Sequence, residues 1–447
     1  MRRCYLGRRI LPTFFATLLV GGVAVLTGVG GLELTRTAAA PVPFSARQAL
    51  LPESLRGQIR LRVRITDSTP SVKVRGFDLA IHDNDREGSR AQRGPAVVSD
   101  RAAQWDFHCQ YGRVRAHRDG ARETLELREP VSIDTPAGFL SFNGKPYREG
   151  IRIFSAGSFC EVINVLDIEK YLDGLVNAEF SAKWTEAAVE AQVIAARTYA
   201  VYQAMHARKS ALAHFDLDST IADQVYDGAI REDFRASRAV QRTRGQILTA
   251  QRDDGTIQPI KAFYHSTCGG HTDLPENVWG SAYAGFKHAA TCPFCTKSPL
   301  YSWQNELTVA EMTAKLKHGF QIAEARTGWG KRALLGAQSG HLVDLKVTKF
   351  DLSGRVKEVL TVWSDGAQVS SLALTGNQFR EWVGASRLKS TQFQIWPLGD
   401  RFRLSGRGFG HGVGMCQWGA KVMGERGFNL AAILKQYYPD AGLKQYW

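Results

Sequence analysis

Residues 167–202 contain two helical patterns separated by a short break. The first has apolar residues on one face, and the second is rich in alanine, so we predict two closely packed helices. Thr185 followed by Glu186 is typical of a helix start. The carboxylate of Glu179 lies in the break, where two buried helices can hold it partly desolvated, and desolvation raises the pKa of a glutamate towards that of a general acid. A solvated loop glutamate is the alternative that the spacing leaves open.

The length and the charge limit the classes of protein to consider. A chain of 447 residues exceeds one hydrophobic core, so two or three domains are expected. The formal net charge of +14 indicates an anionic partner: nucleic acid, anionic lipid or an anionic cell-wall polymer. Charge alone does not choose among these partners.

The N-terminal residues favour an exported protein. No charge occurs between Arg9 and Glu33, and the intervening apolar run is long enough to span a bilayer. We therefore predict that residues 1–40 form a signal peptide or an N-terminal membrane anchor; Pro41 after the alanines at 38–40 favours the anchor. Export to the cell envelope argues against a nucleic-acid partner and leaves the negatively charged envelope as the reason for the basic surface.

The rest of the chain divides by its patterns into a linker (41–57), a β-rich N-terminal domain (58–153) and a mixed helix and strand domain (154–447). Because strands and helices are segregated, the fold class is predicted to be α+β. We predict a mobile loop over 84–101, strands over 247–266 and 401–414, a hairpin over 341–363 that turns at 351–354, and helices over 309–320 and 430–438.

Cysteine and histidine residues cluster in one segment. Cys268 and His271 form a C-x-x-H pair, and Cys292 and Cys295 form a C-x-x-C pair, the spacing of a tetrahedral structural zinc site. We predict these four residues as the ligands of one structural zinc. The alternatives left open are His265 or His288 as a ligand, a Cys292–Cys295 disulfide, and free buried thiols. Of the other cysteines, Cys416 is isolated, and a Cys109–Cys160 bridge is compatible with the sequence but has no support from it.

Two further features suggest a cleft. Glycines 408, 410, 412 and 414 alternate with larger residues, which predicts a strand that lets another backbone or a ligand approach closely while His411 projects from the other face. Tight packing alone is the other interpretation. Arg197, a charge among small residues, either pairs with an acid such as Glu190 or Glu179 or faces a cleft, since an unpaired buried charge is costly.

Together these segments resemble the SpoIID/LytB domain family of peptidoglycan-active proteins. The resemblance rests on YLDGLVNAEF, EAQVIAARTYAVY, AFYHSTCGGHT, GRGFGHGVGMCQWGA and ILKQYYPDA, and it runs from about Phe154 to the C-terminus. It implies that Glu179 is the single acid/base of a lytic transglycosylase, which cuts the β-1,4 bond between N-acetylmuramic acid and N-acetylglucosamine in peptide-free strands and leaves 1,6-anhydro products. It also implies a cleft position for Arg197, and we expect His411 and Gln417 to bind the substrate as well.

The sequence departs from the family pattern in two places. Phe180-Ser181 follows the acid where Met-Pro is common, so the loop lacks the rigidity of proline. Asp218 and Asp223 stand where some relatives carry zinc-binding thiols, and His214 is largely alone, so the later cysteine cluster is the better metal candidate. A non-catalytic, LytB-like glycan-binding module that modifies a partner amidase is the alternative function, and a zinc hydrolase is a weaker one.

Overall fold

The fold is described here from a computed structural model covering residues 59–83, 97–99, 102–208, 210, 212–327 and 340–447. The predicted anchor or signal peptide, the linker and most of the predicted loop over 84–101 lie outside these residues. Val97–Ser99, inside that loop, forms a strand. Within the described ranges, no helix combines the length and the apolar character that crossing a membrane requires.

An eleven-stranded sheet forms the first part of the described chain. Its strands alternate buried and exposed residues, as a sheet with one face on a core requires. The sheet continues through the predicted domain boundary at residue 153, which lies inside its ninth strand. The strands are β1 (Arg60–Thr69), β2 (Val72–Gly76), β3 (Leu79–His82), β4 (Val97–Ser99), β5 (Ala103–Gln110), β6 (Arg113–Arg118), β7 (Thr124–Arg128), β8 (Val131–Phe142), β9 (Lys145–Ala156), β10 (Phe159–Asp167) and β11 (Leu217–Asp218).

The strand order is β11-β1-β10-β9-β8-β2-β5-β6-β7, with β3 pairing with β8 and with β4. Only the β1–β11 pair is parallel among the described pairs of this sheet. Cys109 in β5 and Cys160 in β10 form a disulfide. This bridge, which the sequence allowed but did not support, is therefore present. A disulfide of this kind is typical of proteins in an oxidising compartment.

Three helices follow the sheet: α1 (Ile168–Glu179), α2 (Glu186–Ala207) and α3 (Phe234–Arg242). The side chain of Asp167 accepts a hydrogen bond from the Glu169 N–H and so caps the start of α1. Thr185 occupies the N-cap position of α2, as predicted, although its side chain makes no capping hydrogen bond. Because α2 is buried on nearly all sides, its small alanines allow the neighbouring elements to approach closely.

The remainder of the chain forms short sheets and helices. Its elements are β12 (Gln246–Gln251), β13 (Ile257–Pro259), β14 (Tyr264–His265), α4 (Pro275–Trp279), β15 (Ser302–Thr308), α5 (Val309–Thr327), β16 (His341–Phe350), β17 (Val356–Ser364), β18 (Val369–Thr375), α6 (Gly376–Val383), β19 (Phe393–Leu398), β20 (Arg401–Arg407), β21 (Met415–Cys416), α7 (Gln417–Glu425), α8 (Leu430–Tyr437) and β22 (Gly442–Gln445).

The buried apolar side chains form two hydrophobic cores. The larger core joins the eleven-stranded sheet to α1, α2, α3, α7 and α8. The smaller core lies among β15–β20, α5 and α6, between Trp303 and Leu404. It belongs to an insertion between the parallel pair β14 and β21, so the insertion separates in sequence two strands that are neighbours in space.

The α+β class is confirmed, because the chain combines several sheets with helices segregated along the sequence. The hairpin turn at 351–354 is present between β16 and β17, with Gly354 at positive φ. Two strand predictions are wrong in extent. The predicted strand over 247–266 is broken into β12, β13 and β14, and the one over 401–414 ends at Arg407.

Candidate active site

Glu179 is the last residue of α1, at the point where the chain turns towards α2. The side chain is half-buried, and its Oε1 accepts a hydrogen bond of 2.5 Å from the Val225 N–H. Burial raises the pKa of Glu179, and the Val225 hydrogen bond lowers it in part. No cationic side chain of the described residues contributes to this balance. Glu179 is therefore a desolvated carboxylate rather than a member of an ion pair.

Three tyrosines respond to the charge of Glu179. Burial raises the pKa of Tyr171, Tyr199 and Tyr264, and the negative charge of Glu179 contributes further to each. Gln224 links two of them, because its Oε1 accepts from the Tyr171 hydroxyl at 3.0 Å and its Nε2 lies 3.1 Å from the Tyr264 hydroxyl. The acid therefore has neutral phenols around it, which do not compensate a carboxylate charge as a lysine or arginine would.

The peptide after Glu179 is fixed without the proline that the family pattern favours. The Oδ1 of Asn177 accepts from the Ala182 N–H at 3.1 Å, and the Ser181 carbonyl accepts from the Trp184 N–H at 3.1 Å. Phe180 is buried against the ring of Trp184 at 4.3 Å between centroids. These contacts restrain the loop that Phe180-Ser181 would otherwise leave less rigid.

Gln417, predicted to bind substrate, lies beside the acid but touches its backbone. Its Nε2 donates to the Glu179 carbonyl at 3.2 Å and lies 3.4 Å from the Gln192 Oε1. Both glutamines are buried. In this arrangement Gln417 positions the end of α1, and its substrate contact remains a prediction.

The structure places Arg197 away from any cleft surface, because its side chain is fully buried. Its guanidinium pairs with Glu169, at 2.7 Å from Nη2 to Oε2 and 3.2 Å from Nε to Oε1. It also donates to Thr243 and to the Gln246 and Val240 carbonyls. The internal ion pair is thus the alternative that the structure supports, with Glu169 as the acid in place of the expected Glu190 or Glu179.

His411 is also engaged internally. Its Nδ1 accepts from the Val413 N–H at 3.0 Å, so its Nε2 carries the proton that is donated to the Tyr264 carbonyl at 2.9 Å. Burial lowers the pKa of this imidazole well below its usual value. A neutral ring with both nitrogens occupied orders the glycine-rich segment and the Tyr264 backbone, which is the structural role that the sequence left open.

Gly408, Gly410, Gly412 and Gly414 all have positive φ, so the predicted strand is a loop in the left-handed region instead. The expected close approach is confirmed. A Cβ at Gly408 or Gly414 would collide with the backbone of the segment that contains β14. The alternation of glycines indicated close packing correctly, but it could not distinguish an extended backbone from alternating left-handed turns.

An aromatic cage near the acid surrounds a lysine. The ammonium of Lys261 lies 5.3–5.9 Å from the ring centroids of Phe263, Tyr199, Tyr283 and Tyr202. Burial lowers the pKa of Lys261, and the charge of Asp223 opposes that shift. The sequence analysis missed this cage. Lys261 and Phe263 alternate just before the predicted metal segment, but nothing in the sequence indicated that Tyr199, Tyr202 and Tyr283 would surround the same lysine.

The cysteine cluster differs from the predicted ligand set. The Sγ atoms of Cys268, Cys292, Cys295 and Cys416 lie within 4.8 Å of one another. His271 is exposed and outside this group, so its prediction as a ligand is wrong, and so is the description of Cys416 as isolated. The Cys416 side chain reaches the cluster because β21 pairs in parallel with β14, which ends three residues before Cys268.

The other histidines considered as metal ligands have separate partners. His265 Nδ1 lies 3.0 Å from the Val413 carbonyl, and His288 Nδ1 lies 2.8 Å from Asp440 Oδ1. His214 pairs with Glu161 at 2.8 Å and stacks on Phe154. The three histidines therefore make contacts away from the cysteine cluster and are not among its sulfur ligands.

The aspartates at the position of the relatives' thiols are also paired within the protein. Asp218 forms an ion pair with Arg64 at 2.7 Å. Asp223 Oδ1 accepts from the Tyr199 hydroxyl at 2.8 Å, and its Oδ2 accepts from the Asp218 N–H at 2.9 Å. Hydrogen bonds and an ion pair therefore hold this segment.

Comparisons with known proteins match two parts of the chain. Residues 157–249 match the SpoIID family, described as stage II sporulation protein, and residues 294–414 match a domain family of unknown function, DUF8618. Stage II sporulation protein D of Bacillus subtilis is 31% identical over 296 residues, which cover 63% of this chain and 75% of that protein.

Two other relatives extend this picture. An uncharacterised protein of Brachyspira hyodysenteriae is 31% identical over 322 residues, 71% of this chain and 77% of the relative. The amidase enhancer of Bacillus subtilis is 26% identical over 303 residues, which cover 62% of this chain but only 40% of that longer protein.

Proposed function

The chain belongs to the stage II sporulation protein D family, and from this premise we propose that it is a peptidoglycan lytic transglycosylase of the cell envelope with Glu179 as its single acid/base. The observation that carries the proposal is the environment of Glu179, a half-buried carboxylate at a helix end with a raised pKa and one backbone hydrogen bond. A raised pKa keeps the proton available for a leaving group.

One carboxylate is sufficient for this reaction. The protonated Glu179 gives its proton to the glycosidic oxygen as the bond from that oxygen to C1 of N-acetylmuramic acid breaks. The resulting carboxylate then takes the proton of the same sugar's 6-hydroxyl, and O6 forms the new bond to C1. The products are a 1,6-anhydro sugar and a free sugar hydroxyl, without consumption of water. Hydrolytic glycosidases instead require a second carboxylate to activate water or to act as nucleophile.

Asp223, the other carboxylate near Glu179, is not arranged to act as a second catalytic acid or base. Both oxygens of Asp223 accept hydrogen bonds from within the protein, from Tyr199 and Gln203 at Oδ1 and from the Asp218 N–H at Oδ2. A carboxylate that already accepts three internal hydrogen bonds has few acceptor sites left with which to activate a water molecule. This arrangement favours the one-carboxylate route.

Lys261 is our candidate for contact with the glycan's negative charge. Peptide-free muramic acid carries a free lactyl carboxylate, and the partly exposed ammonium of Lys261 lies in the aromatic cage whose Tyr199 also responds to Glu179. We expect Lys261→Met to raise KM for peptide-free strands more than for peptide-bearing ones, measured by the rate of 1,6-anhydro product release at several sacculus concentrations. An equal change for both substrates would contradict this contact.

The central test uses the full chain purified in mild detergent. Incubation with peptide-free and with peptide-bearing sacculi, followed by mass analysis, should release 1,6-anhydro products, mainly from the former. Glu179→Gln should lower the rate by about 10²–10⁴-fold, the usual contribution of a general acid or base. Glu276→Gln, a change at an exposed glutamate of α4, is the matched control and should leave the rate unchanged.

Isotope labelling separates the proposal from hydrolysis. In water enriched in oxygen-18 the anhydro product should carry no label, whereas a hydrolase would add one labelled oxygen to each new reducing end. A labelled product, or full activity of Glu179→Gln, would refute the assignment.

A non-catalytic role is the second candidate, and the similarity to an amidase enhancer favours it. In that case the chain would bind sacculi and stimulate a partner cell-wall amidase without forming anhydro sugars. The Glu179→Gln protein distinguishes the two functions, because it should lose the transglycosylase reaction but retain any stimulation of an amidase. Equal amidase stimulation, with no anhydro product from the unaltered protein, would favour the second candidate.

A further inference from the structure

Four cysteine sulfurs from three separate segments meet in the interior. Cys268 follows β14, Cys292 and Cys295 lie in the loop before β15, and Cys416 ends β21. All four side chains are fully buried, and their Sγ atoms lie within 4.8 Å of one another. The Sγ atoms of Cys268 and Cys295 are 3.4 Å apart, so no disulfide joins this pair. The arrangement is a compact group of four thiols.

The size of the group matches a single tetrahedral ion. Four thiolates around one Zn²⁺ at bonds of about 2.3 Å stand about 3.8 Å apart, which falls within the observed spread. An iron–sulfur cluster places its own sulfides and several irons between the thiolates and so needs a larger cavity. Four sulfur ligands in a tetrahedron select zinc or a single iron among common metals.

Hydrogen-bond donors are directed at the sulfurs. Cys416 Sγ lies 3.3 Å from the Cys268 N–H and 3.4 Å from the Gly419 N–H, and Cys268 Sγ lies 3.4 Å from the Gly270 N–H. Cys416 is also the N-cap of α7, so its sulfur lies at the positive end of a helix. Backbone N–H groups directed at sulfur stabilise thiolates and orient them as metal ligands. They are a second observation, independent of the spacing.

Two buried polar side chains complete the surroundings. The hydroxyl of Tyr437 lies 3.1 Å from Cys292 Sγ. The guanidinium of Arg355 donates to the Cys268 carbonyl at 2.7 Å and is itself fully buried. This cation, which also lies 3.9 Å from Asp273, offsets part of the net negative charge that four thiolates and one divalent ion carry.

We propose that Cys268, Cys292, Cys295 and Cys416 bind one Zn²⁺ as a closed structural site. Binding is a ligand exchange: each thiol that is still protonated releases its proton to solvent as its sulfur binds the ion, and no group is oxidised or reduced. Four protein ligands leave no open position for a water or a substrate, so the ion is structural rather than catalytic. This proposal does not depend on the proposed transglycosylase activity.

The site has a mechanical consequence for the acid. Cys416 directly precedes Gln417, whose amide donates to the Glu179 carbonyl. The ion would therefore fix the start of α7 to the segments of Cys268 and Cys292 and, one residue further on, support the end of α1. Loss of the ion should loosen this junction first.

The test is the metal and thiol content of the full chain, purified in detergent without added metal or reductant. We expect one zinc per chain by elemental mass spectrometry, and five thiols after denaturation with a chelator, since the seven cysteines include the Cys109–Cys160 disulfide. Cys416→Ser should lose the zinc, and His271→Ala should retain it. Cobalt exchanged into the unaltered protein should give the intense visible absorption of tetrahedral thiolate coordination, and this measurement needs no variant that could fail to fold.

Several results would overturn the site. Only one free thiol after denaturation, Cys4, with no metal would show two further disulfides, and five free thiols with no metal would show an empty group of thiols. Iron in place of zinc would refute the choice of ion. Zinc retained by Cys416→Ser but lost by His271→Ala would restore the ligand set predicted from the sequence.

Discussion

The buried pair of Arg197 and Glu169 gives the sharpest test of the structure against the family expectation. The family resemblance implies that Arg197 belongs to the cleft, whereas the structure buries it completely in contact with Glu169. With this pair buried, Arg197→Met removes a charge from the interior and leaves the Glu169 carboxylate without its cation. If the cleft role is right, the same change weakens substrate binding and affects the fold little.

The expected magnitude follows from the contacts. Removing one partner of a buried ion pair costs about 3–5 kcal/mol, because the remaining charge stays desolvated. The upper part of this range applies here, since the guanidinium makes two hydrogen bonds to Glu169 and three more to Thr243 and backbone carbonyls. Arg197→Lys keeps the charge but not the two-pronged geometry, so it should lose less.

Urea denaturation followed by tryptophan fluorescence measures the change in unfolding free energy. Arg242→Met is the matched control: Arg242 is partly exposed, pairs with Glu186, and should contribute less than about 1 kcal/mol. The double variant Arg197→Met/Glu169→Leu should be less destabilised than the sum of the two single changes, because it leaves no unpaired charge.

Arg197→Met also has an outcome that would contradict the buried pair. An unfolding free energy of Arg197→Met equal to that of the unaltered protein, together with a higher KM for sacculi, would mean that Arg197 contacts the glycan and that the buried pair is not its role.

Three further changes test the site. In the unfolded chain Glu179 ionises near pH 4.3, and burial raises its pKa in the folded protein. Glu179→Gln should therefore be more stable than the unaltered protein above the raised pKa and equally stable below about pH 4. Thermal unfolding at several pH values measures this, and a stability difference that does not change with pH would contradict it. Gln417→Ala should lower kcat about three- to tenfold at unchanged KM, because it removes one hydrogen bond worth about 1 kcal/mol from the acid's backbone; a change in KM alone would instead indicate substrate contact. Gly419→Ala should reduce zinc content, since its Cβ would collide with the Tyr437 hydroxyl and approach Cys292; unchanged zinc would show that this packing yields.

Local patterns predicted most of the elements around the acid. The helices on either side of Glu179 follow from apolar spacing and an N-cap residue, both of which are readable within one or two turns. The position of Glu179 at the end of α1 and its partial burial follow from the same short stretch. Asn177 and Val225, whose amide and N–H restrain the loop and the carboxylate, could not be predicted, because their contacts depend on tertiary geometry.

Long-range pairing explains the remaining errors. Cys416 lies 148 residues from Cys268 in sequence, and only the parallel pairing of β14 with β21 brings them together. Glu169 reaches Arg197 from the neighbouring helix α1, a contact that depends on how the two helices pack, so the sequence suggested Glu190 or Glu179 instead. His271 had the right spacing for a ligand, but the chain turns its side chain to solvent. Spacing identifies ligand types well, whereas the choice among them is made by strand pairing.

The insertion between β14 and β21 packs against the glycine-rich loop and helps to stabilise it. Arg355, in the turn between β16 and β17, is fully buried beneath the glycine-rich loop, where a Cβ at Gly412 would collide with its guanidinium. Its hydrogen bonds go to the Cys268 and His271 carbonyls, and Asp273 lies 3.9 Å away as its counter-charge. Because a buried guanidinium is tolerated only with such partners, the insertion and the segment after β14 stabilise each other. The sequence suggested that the missing side chains of the glycines make room for a ligand or another backbone. At Gly412 they make room for Arg355 of the protein itself.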